Sequence, residues 1–295
     1  MKDYIIRAIN EKKDVKIQVA ITTELVEKAR KIHNLTKTSS AALGRALTAA
    51  AIMAEDMKNE KDSLTINIKG DGPLGRIVVT AKNDGKVKGY VDNPQCDLNI
   101  RKEDNKIDVS GAVGKGVITI IKDLGLKEPY NGTSPIVTGE IAEDLAYYFA
   151  TSEQVPSVVA LGVLVDKDLT IKCSGGFIIQ LMPGADEETI TKIENNISSL
   201  PSITEMINNG LNAEDIMNEA MQGFNMKILN KREIEFDCDC SREKVEDALI
   251  SLGKDELEDM MKKDKGAEAK CHFCNSVYNF DESDLSDMLE KIKHN

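Results

Sequence analysis

Along the first 182 residues, apolar positions recur with a period of two or in short unbroken runs, the pattern of half-buried or fully buried strands. The pattern predicts strands at Tyr4–Ile9, Val15–Ile21, Leu64–Ile68, Ile77–Ala81, Val87–Val91, Val117–Ile121, Val158–Val165 and Phe177–Leu181. Turn residues separate them, as in Gly70-Asp71-Gly72-Pro73 and Asn83-Asp84-Gly85. Three stretches switch to helical spacing. One follows Thr22 or Thr23 and carries Leu25, Val26, Ala29 and Ile32. The second is the alanine-rich segment opening at Ser39-Ser40-Ala41-Ala42, and the third starts near Gly139 with Ile141, Leu145, Tyr148 and Phe149. Long strands with few helices between them fit an α+β core over residues 1–182.

From Pro183 to Lys231 the texture changes. Ile190, Ile193, Ile197 and Leu200 share one face of a helix over Asp186–Leu200, which Pro201 stops. Gly210 ends a short second helix, and Asn212 caps a third containing Ile216, Met217 and Met221. Each piece is near or below the roughly 12–15 residues at which an isolated helix becomes marginally stable, so all three must lean on a neighbour. Met206, Met217, Met221 and Met226 lie here, and methionine packs adaptably rather than uniquely. We read residues 183–231 as a metastable helical linker, with an ordinary helical subdomain of the core as the alternative.

The remaining segment, 232–295, holds four of the six cysteines and carries 18 acidic against 10 basic residues. So short a domain buries too little apolar surface to be robust without a staple. Cys238-Asp239-Cys240 and Cys271-His272-Phe273-Cys274 supply one: two thiol pairs at this separation match a tetrahedral four-thiolate zinc site. With four cysteines available, His272 is expected to be a bystander. A closed four-sulfur site leaves no position for a substrate water, which argues against hydrolytic metal catalysis. Structural zinc, a nucleic-acid ribbon and a redox sensor remain. The acidity of the segment has the wrong sign for phosphate contacts.

Zinc keeps its ligands as thiolates, the form that reacts with peroxides and disulfides. Sulfurs joined to one another are poor ligands, so oxidation would expel the metal. Structural zinc is worth about 10–16 kcal/mol in small domains, against about 5–15 kcal/mol for the whole stability of a typical domain. Its loss should unfold the segment and release marginal helices resting on it. The pair Cys271/Cys274 is expected to oxidise first. Asp237 and Asp239 flank the other pair and disfavour its thiolates, and a Cys-x-Cys disulfide closes a tighter ring.

Composition narrows the partners. The 295-residue chain has a formal charge of −12, no Trp and 4% aromatic residues, so binding to nucleic acid or to anionic membranes is not expected. The most apolar helical stretch, Ala41–Met57, is interrupted by Gly44, Arg45, Thr48 and Glu55 and is short for a span of about 20 apolar residues. The N-terminus lacks the apolar run of a signal peptide, so a reducing cytoplasm is expected, where stable structural disulfides are rare.

The chain resembles, over essentially its whole length, the bacterial family of redox-regulated holdase chaperones, the thirty-three-kilodalton heat-shock proteins. The resemblance is carried by Gly70-Asp71-Gly72-Pro73-Leu74-Gly75, Gly89-Tyr90-Val91-Asp92-Asn93-Pro94, Pro156-Ser157-Val158-Val159-Ala160-Leu161-Gly162-Val163 and Gly175-Gly176-Phe177-Ile178-Ile179-Gln180. Its most specific part is Phe236-x-Cys238-x-Cys240-Ser241 through Leu252-Gly253 to Cys271-x-Phe273-Cys274 and Tyr278-x-Phe280. It implies an α+β core, a helical linker and a C-terminal zinc domain, and an ATP-independent chaperone, not an enzyme, that is quiet while reduced and zinc-bound. It further implies that oxidative stress forms Cys238–Cys240 and Cys271–Cys274 disulfides, releases zinc, disorders the linker and yields a homodimer that holds unfolded clients. Apolar linker faces including Ile193, Ile197, Ile203 and Met217 are expected to contact clients. The competing readings are a thiol–disulfide oxidoreductase using Cys271 and Cys274, and a zinc-ribbon adaptor with purely structural metal.

Other candidates carry less. Gly111-Ala112-Val113-Gly114-Lys115-Gly116 superficially resembles a phosphate loop but lacks the required spacing and the hydroxyl residue after Lys. Cys96 and Cys173 are expected to be buried filler, with Cys173 ending a strand. His33 and His294 are expected to be solvated. Three histidines so placed assemble no catalytic triad.

Overall fold

The computed structural model describes residues 2–102 and 104–294, with the side chains of Lys293 and His294 outside the described set, so the expectation for His294 lies outside it as well. The fold is α+β, as expected, and divides into two compact units, Met1–Asp237 and Cys238–Asn295.

The first unit begins with β1 (Tyr4–Asn10), β2 (Val15–Ile21), α1 (Thr23–His33) and α2 (Lys37–Ala54). β3 (Ser63–Gly70), β4 (Arg76–Lys82), β5 (Lys86–Val91), α3 (Val109–Val113), β6 (Gly116–Asp123) and β7 (Tyr130–Pro135) follow. α4 (Ala142–Tyr148) runs on as a wider π-helical turn through Phe149–Glu153, before β8 (Ser157–Val165) and β9 (Ile171–Leu181). The segment continues with α5 (Glu187–Ser199), α6 (Ile203–Asn208), α7 (Ala213–Ala220), β10 (Met226–Glu233) and β11 (Glu235–Phe236). One antiparallel sheet has the order β10-β1-β2-β9-β8; a second has the order β11-β5-β4-β3-β6-β7, antiparallel except for the short parallel β11–β5 pairing.

α2 lies in the apolar core shared by both sheets, and all of its residues except Lys37 and Arg45 are buried. Alanines let it approach the strands closely; Thr48 is hydrogen-bonded, while Ser40 Oγ and Arg45 Nε are buried without a partner among the described residues. The Thr22 hydroxyl lies 2.7 Å from that of Thr48 and 2.9 Å from that of Ser174, and Thr48 donates to the Gly44 carbonyl at 2.8 Å.

A second core, formed by Tyr4, Ile6, Val15, Ile17, Val19, Phe177 and Ile179 of the first sheet, is covered by α5, α6 and α7. Each of these helices starts at a side-chain cap: Asp186 accepts from Thr189 N at 2.8 Å, Ser202 from Glu205 N at 3.3 Å and Asn212 from Asp215 N at 3.0 Å. The residues expected as exposed client contacts are therefore covered. Ile193, Ile203 and Met217 are buried and Ile197 is half-buried, because their apolar faces turn onto the sheet.

α6 sits where β8 and β9 carry glycine. A Cβ on Gly162 would come within 2.5 Å of Ile203 Cγ2 and 2.7 Å of Thr204 Cγ2, and one on Gly175 within 2.6 Å of Ile207 Cδ1. Beside them the Cys173 thiol donates to the Thr204 carbonyl at 3.3 Å. Cys173 is thus inside β9 rather than at a strand end, since that strand starts at Ile171. Gly162 and Gly175 thus form the floor on which α6 rests, while Gly176 meets Thr48 and Leu161 on the other face.

His33 is buried rather than solvated, edge-on to Phe236 with ring centroids 6.4 Å apart, because β11 covers that face of α1. The Gly111–Gly116 segment is α3 and the start of β6. Asp71 Oδ1 takes the Lys115 amide at 2.7 Å, and Gly70 and Gly72 pack directly on the Val113 and Ala112 carbonyls, filling the space a phosphate would need. Asp3 is buried and accepts from Leu25 N at 2.7 Å at the start of α1. Burial raises its carboxyl to about 6, against the hydrogen bonds from the Leu25 and Glu24 amides.

Two predictions follow from this packing. Gly162→Ala should push α6 off its seat, raising amide exchange over residues 203–208 and destabilising the unit by about 1–3 kcal/mol through overpacking. Unchanged exchange there would show that the close approach is not limiting. For Asp3, the folded chain holds more protons than the unfolded chain between the ordinary aspartate value near 3.9 and about 6, so stability falls as pH rises through that interval. Asp3→Asn should therefore stabilise the first unit at pH 7.5 by ~2 kcal/mol in urea unfolding and flatten the slope between pH 4 and 6. A lower midpoint than the unsubstituted chain overturns this.

Candidate metal centre

The second unit comprises α8 (Arg242–Ser251), α9 (Lys254–Lys263), β12 (Gly266–Lys270), β13 (Val277–Asp281) and α10 (Glu282–His294). Its buried apolar cluster is small: Leu249, Leu257, Phe280, Leu285, Met288 and Leu289. Arg242 spans it from outside, with its guanidinium 4.3 Å from the Phe280 ring centroid and bonded to the Asn279 carbonyl and Asp284.

Both cysteine pairs sit where the backbone turns. Cys238 and Cys240 lead into α8, whose first turn is capped by Ser241 accepting from Lys244 N at 3.3 Å. Cys271–Cys274 forms the tip of the β12–β13 hairpin. There Cys271 N donates to Ser276 O at 2.9 Å, and Asn275 N donates back to Cys271 O at 2.8 Å, with Asn275 in the left-handed region at φ 60°. The knuckle thereby aims two sulfurs the same way.

The four Sγ atoms lie within 4.8 Å of one another, with Cys238–Cys271 at 3.8 Å and Cys240–Cys274 at 3.2 Å. A tetrahedron with zinc–sulfur bonds of about 2.3 Å has edges of about 3.8 Å, so the donor set and its spacing fit zinc. Among the described residues this is the one such group of His, Cys, Asp and Glu, and His272 contributes no atom to it. Burial, joined by neighbouring sulfurs, pushes the Cys238 and Cys240 thiols up. Cys274 goes the other way: burial opposes ionisation, but the Ser276 hydroxyl and amide together with the neighbouring sulfurs bring it down to about 7.

The carboxylates flanking the first pair are each held by a cation, Asp237 by Lys86 at 3.1 Å and Asp239 by Lys244 at 2.8 Å. Their repulsion of the Cys238 and Cys240 thiolates is thus weaker than their position in sequence suggests. Cys96 and Cys173 are buried, as expected, and burial raises both thiols.

Two site residues escape sequence reasoning. Tyr278 Oη lies 3.1 Å from Cys240 Sγ, and Ser276 Oγ lies 3.2 Å from Cys274 Sγ. Tyr278 stood in the sequence only as part of the Tyr278-x-Phe280 pattern, whose alternation on β13 puts both on one face.

A profile of the Hsp33 protein family matches residues 3–281. A 33 kDa chaperonin of Clostridioides difficile is 50% identical over 293 residues, covering 99% of this chain and 100% of that protein. One from Thermoanaerobacter pseudethanolicus is 49% identical over 290 residues, 98% of each chain. The crystal structure of the 33 kDa chaperonin from Thermotoga maritima superposes with a TM-score of 0.91 at 38% identity, covering all of both chains. A fold, a cysteine cluster and a match that all run nearly the full length place this chain in the Hsp33 family.

Proposed function

We propose that this chain is a zinc-dependent, redox-gated holdase that binds unfolded polypeptides only after its four-cysteine centre is oxidised. The observation that carries the reading is the convergence of Cys238, Cys240, Cys271 and Cys274 within 4.8 Å in a unit whose buried core is six side chains. When bound, zinc supplies the crosslink that this core lacks and keeps all four sulfurs as thiolates. Cys238 and Cys240 hold the entry to α8, and Cys271 and Cys274 hold the hairpin tip. Peroxide takes two electrons from each pair as a disulfide closes, and both oxygens leave as hydroxide. Cys238–Cys240 and Cys271–Cys274 are the proposed products. Paired sulfurs no longer hold the metal, and the small unit loses its main constraint.

Residues 183–231 are the proposed responding segment, between a core of residues 1–182 and a switch of 232–295. α5, α6 and α7 are 13, 6 and 8 residues long, lengths that do not persist without the sheet beneath them. Their detachment would expose Ile193, Ile197, Ile203 and Met217 together with the strand face carrying Tyr4, Ile6, Phe177 and Ile179. Those surfaces are apolar and suit unfolded chains and a second copy, giving the oxidised homodimer. No helix among the described residues is long and apolar enough to cross a membrane, in keeping with a cytoplasmic role.

An oxidant titration tests the reading. The reduced protein should hold one zinc and leave the aggregation of a thermally unfolded client unchanged. Peroxide should release that zinc, increase the hydrodynamic size and suppress light scattering near one-to-one stoichiometry. A metal-free, disulfide-bonded protein with a compact tail and no client protection would overturn it; turnover of a dithiol substrate at low protein concentration would point to an oxidoreductase instead. Mass mapping at early times should find Cys271–Cys274 before Cys238–Cys240, since the longer ring is less cramped. The reverse order would overturn that assignment.

A further inference from the structure

Three side chains from adjacent strands share one face beneath the C-terminal end of α2: Asn230 of β10 pairs with Arg7 of β1, and Arg7 with Gln18 of β2. Two of them serve the carbonyls left open where the helix stops. Gln18 Nε2 donates to Ile52 O at 3.3 Å and Arg7 Nη1 to Glu55 O at 3.4 Å. The Glu55 side chain is buried, and β10 supplies its partners: Asn230 Nδ2 donates to one carboxylate oxygen, and Arg232 Nε lies 3.8 Å from the other. Arg232 also donates to Asn83 Oδ1 at 2.9 Å. Arg7, by contrast, keeps a buried Nε with no acceptor among the described residues, although its guanidinium already touches the Glu55 backbone. A buried carboxylate is thus bonded to an edge strand, beside a second cation on the strand behind it.

We infer that Glu55 is the catch that holds β10 to the core and that Arg7 is its receiver, poised to take the carboxylate when β10 departs. The role of this catch as a gate rests on the redox reading above; the catch itself does not. Pulling β10 from β1 takes Asn230 and Arg232 away from Glu55, and a buried carboxylate left without partners makes that step costly. Arg7 stays behind, on a strand that β2 pairs on its other side. Rotation of the Glu55 side chain onto Arg7 Nε replaces the lost partners and supplies the acceptor that Nε lacks. Closed and open states then satisfy the same carboxylate, and the balance between its two sets of partners fixes how readily β10 opens.

Amide exchange over residues 226–233 in the full-length, reduced, zinc-loaded protein reads the opening of β10 directly. Asn230→Ala removes a bond made only in the closed state and should speed exchange about tenfold. Arg7→Gln removes the receiver and should slow exchange several-fold, whereas Arg7→Lys keeps the charge and should stay close to the unsubstituted protein. In a Glu55→Gln background no charge needs a partner, so Arg7→Gln should no longer slow exchange. Exchange in β2 and β9 controls for global folding. If Arg7 merely props up the end of α2, Arg7→Gln speeds exchange or leaves it unchanged, and the inference falls. It falls too if the slowing persists without the Glu55 charge, or if Asn230→Ala has no effect. Under peroxide, client protection should begin at lower oxidant in Asn230→Ala and at higher oxidant in Arg7→Gln; identical thresholds overturn the gating role. An unsubstituted protein that neither releases zinc nor protects clients overturns the redox reading, while the exchange pattern still decides the catch.

Discussion

The constraint on which the rest depends is the crowding of four sulfurs at the base of a unit that cannot otherwise hold itself together. A domain of about 60 residues buries only about 60% of the surface its unfolded chain exposes, less than larger domains do, and is marginal on that ground alone. This one buries six apolar side chains and surrounds them with a shell of acidic residues. Within it the pieces are locally well made: the hairpin closes through the Cys271–Ser276 and Asn275–Cys271 bonds, α8 has its Ser241 cap, and Arg242 ties β13 to the start of α10. Arg242 and Tyr278 tie the entry of α8 to the strands of the hairpin, and the sulfur cluster ties it to the hairpin tip. On the proposed reading, a metal at that point contributes about 10–16 kcal/mol, comparable with or larger than everything else holding so small a fold.

The first unit is built on the opposite principle. A buried alanine-rich helix packed in a core shared by two sheets, with Thr48 bonded to Thr22 of the neighbouring loop, makes a core that needs no staple. Its weakness is confined to one layer. α5, α6 and α7 touch the sheet through isoleucines and methionines, with polar ties that include the Cys173 thiol to the Thr204 carbonyl, the Tyr4 hydroxyl to Glu214, the Ala213 amide to the Tyr4 oxygen and Lys231 to Glu214. Apolar contact of this kind can be lost and remade without rebuilding the core, which suits the proposed holdase.

Much of this was legible in the sequence because burial leaves a period. The inner strands β2, β3, β4 and β6 and the apolar edge strand β8 announce themselves by alternation or by apolar runs, and the cysteine spacing alone points to a four-sulfur centre. The polar edge strands do not. β7 is Tyr-Asn-Gly-Thr-Ser-Pro, with only Gly132 and Ser134 buried, and β10 exposes most of a charged sequence, so neither carries an apolar stripe. β12 and β13 are five residues each in a unit with little interior to imprint a pattern. His33 misled because its burial depends on Phe236, far along the chain, and the counter-ions of Asp237 and Asp239, Lys86 and Lys244, could not be paired from spacing. The helical faces holding Ile193, Ile203 and Met217 were read correctly as amphipathic, but amphipathicity does not say whether the apolar side is covered.

The chain path shows how the proposed switch can act on the linker without a dedicated lever. Going backwards from Cys238 the polypeptide runs through β11, two residues paired to β5, then β10, an edge strand paired only to β1 with an irregularity between Arg7 and Ala8, and then α7. Each element is weaker or more peripheral than the core strands behind it. On the proposed reading, a C-terminal unit that lost its sulfur crosslink would become a mobile polymer attached to the least secure end of this series. The entropy gained by lengthening a free chain grows with every residue released. Loosening would then proceed from β11 and β10 toward α7, α6 and α5 and meet its limit at β9, which is paired on both sides by β2 and β8. The proposed response would thus be bounded at β9 and at Cys238.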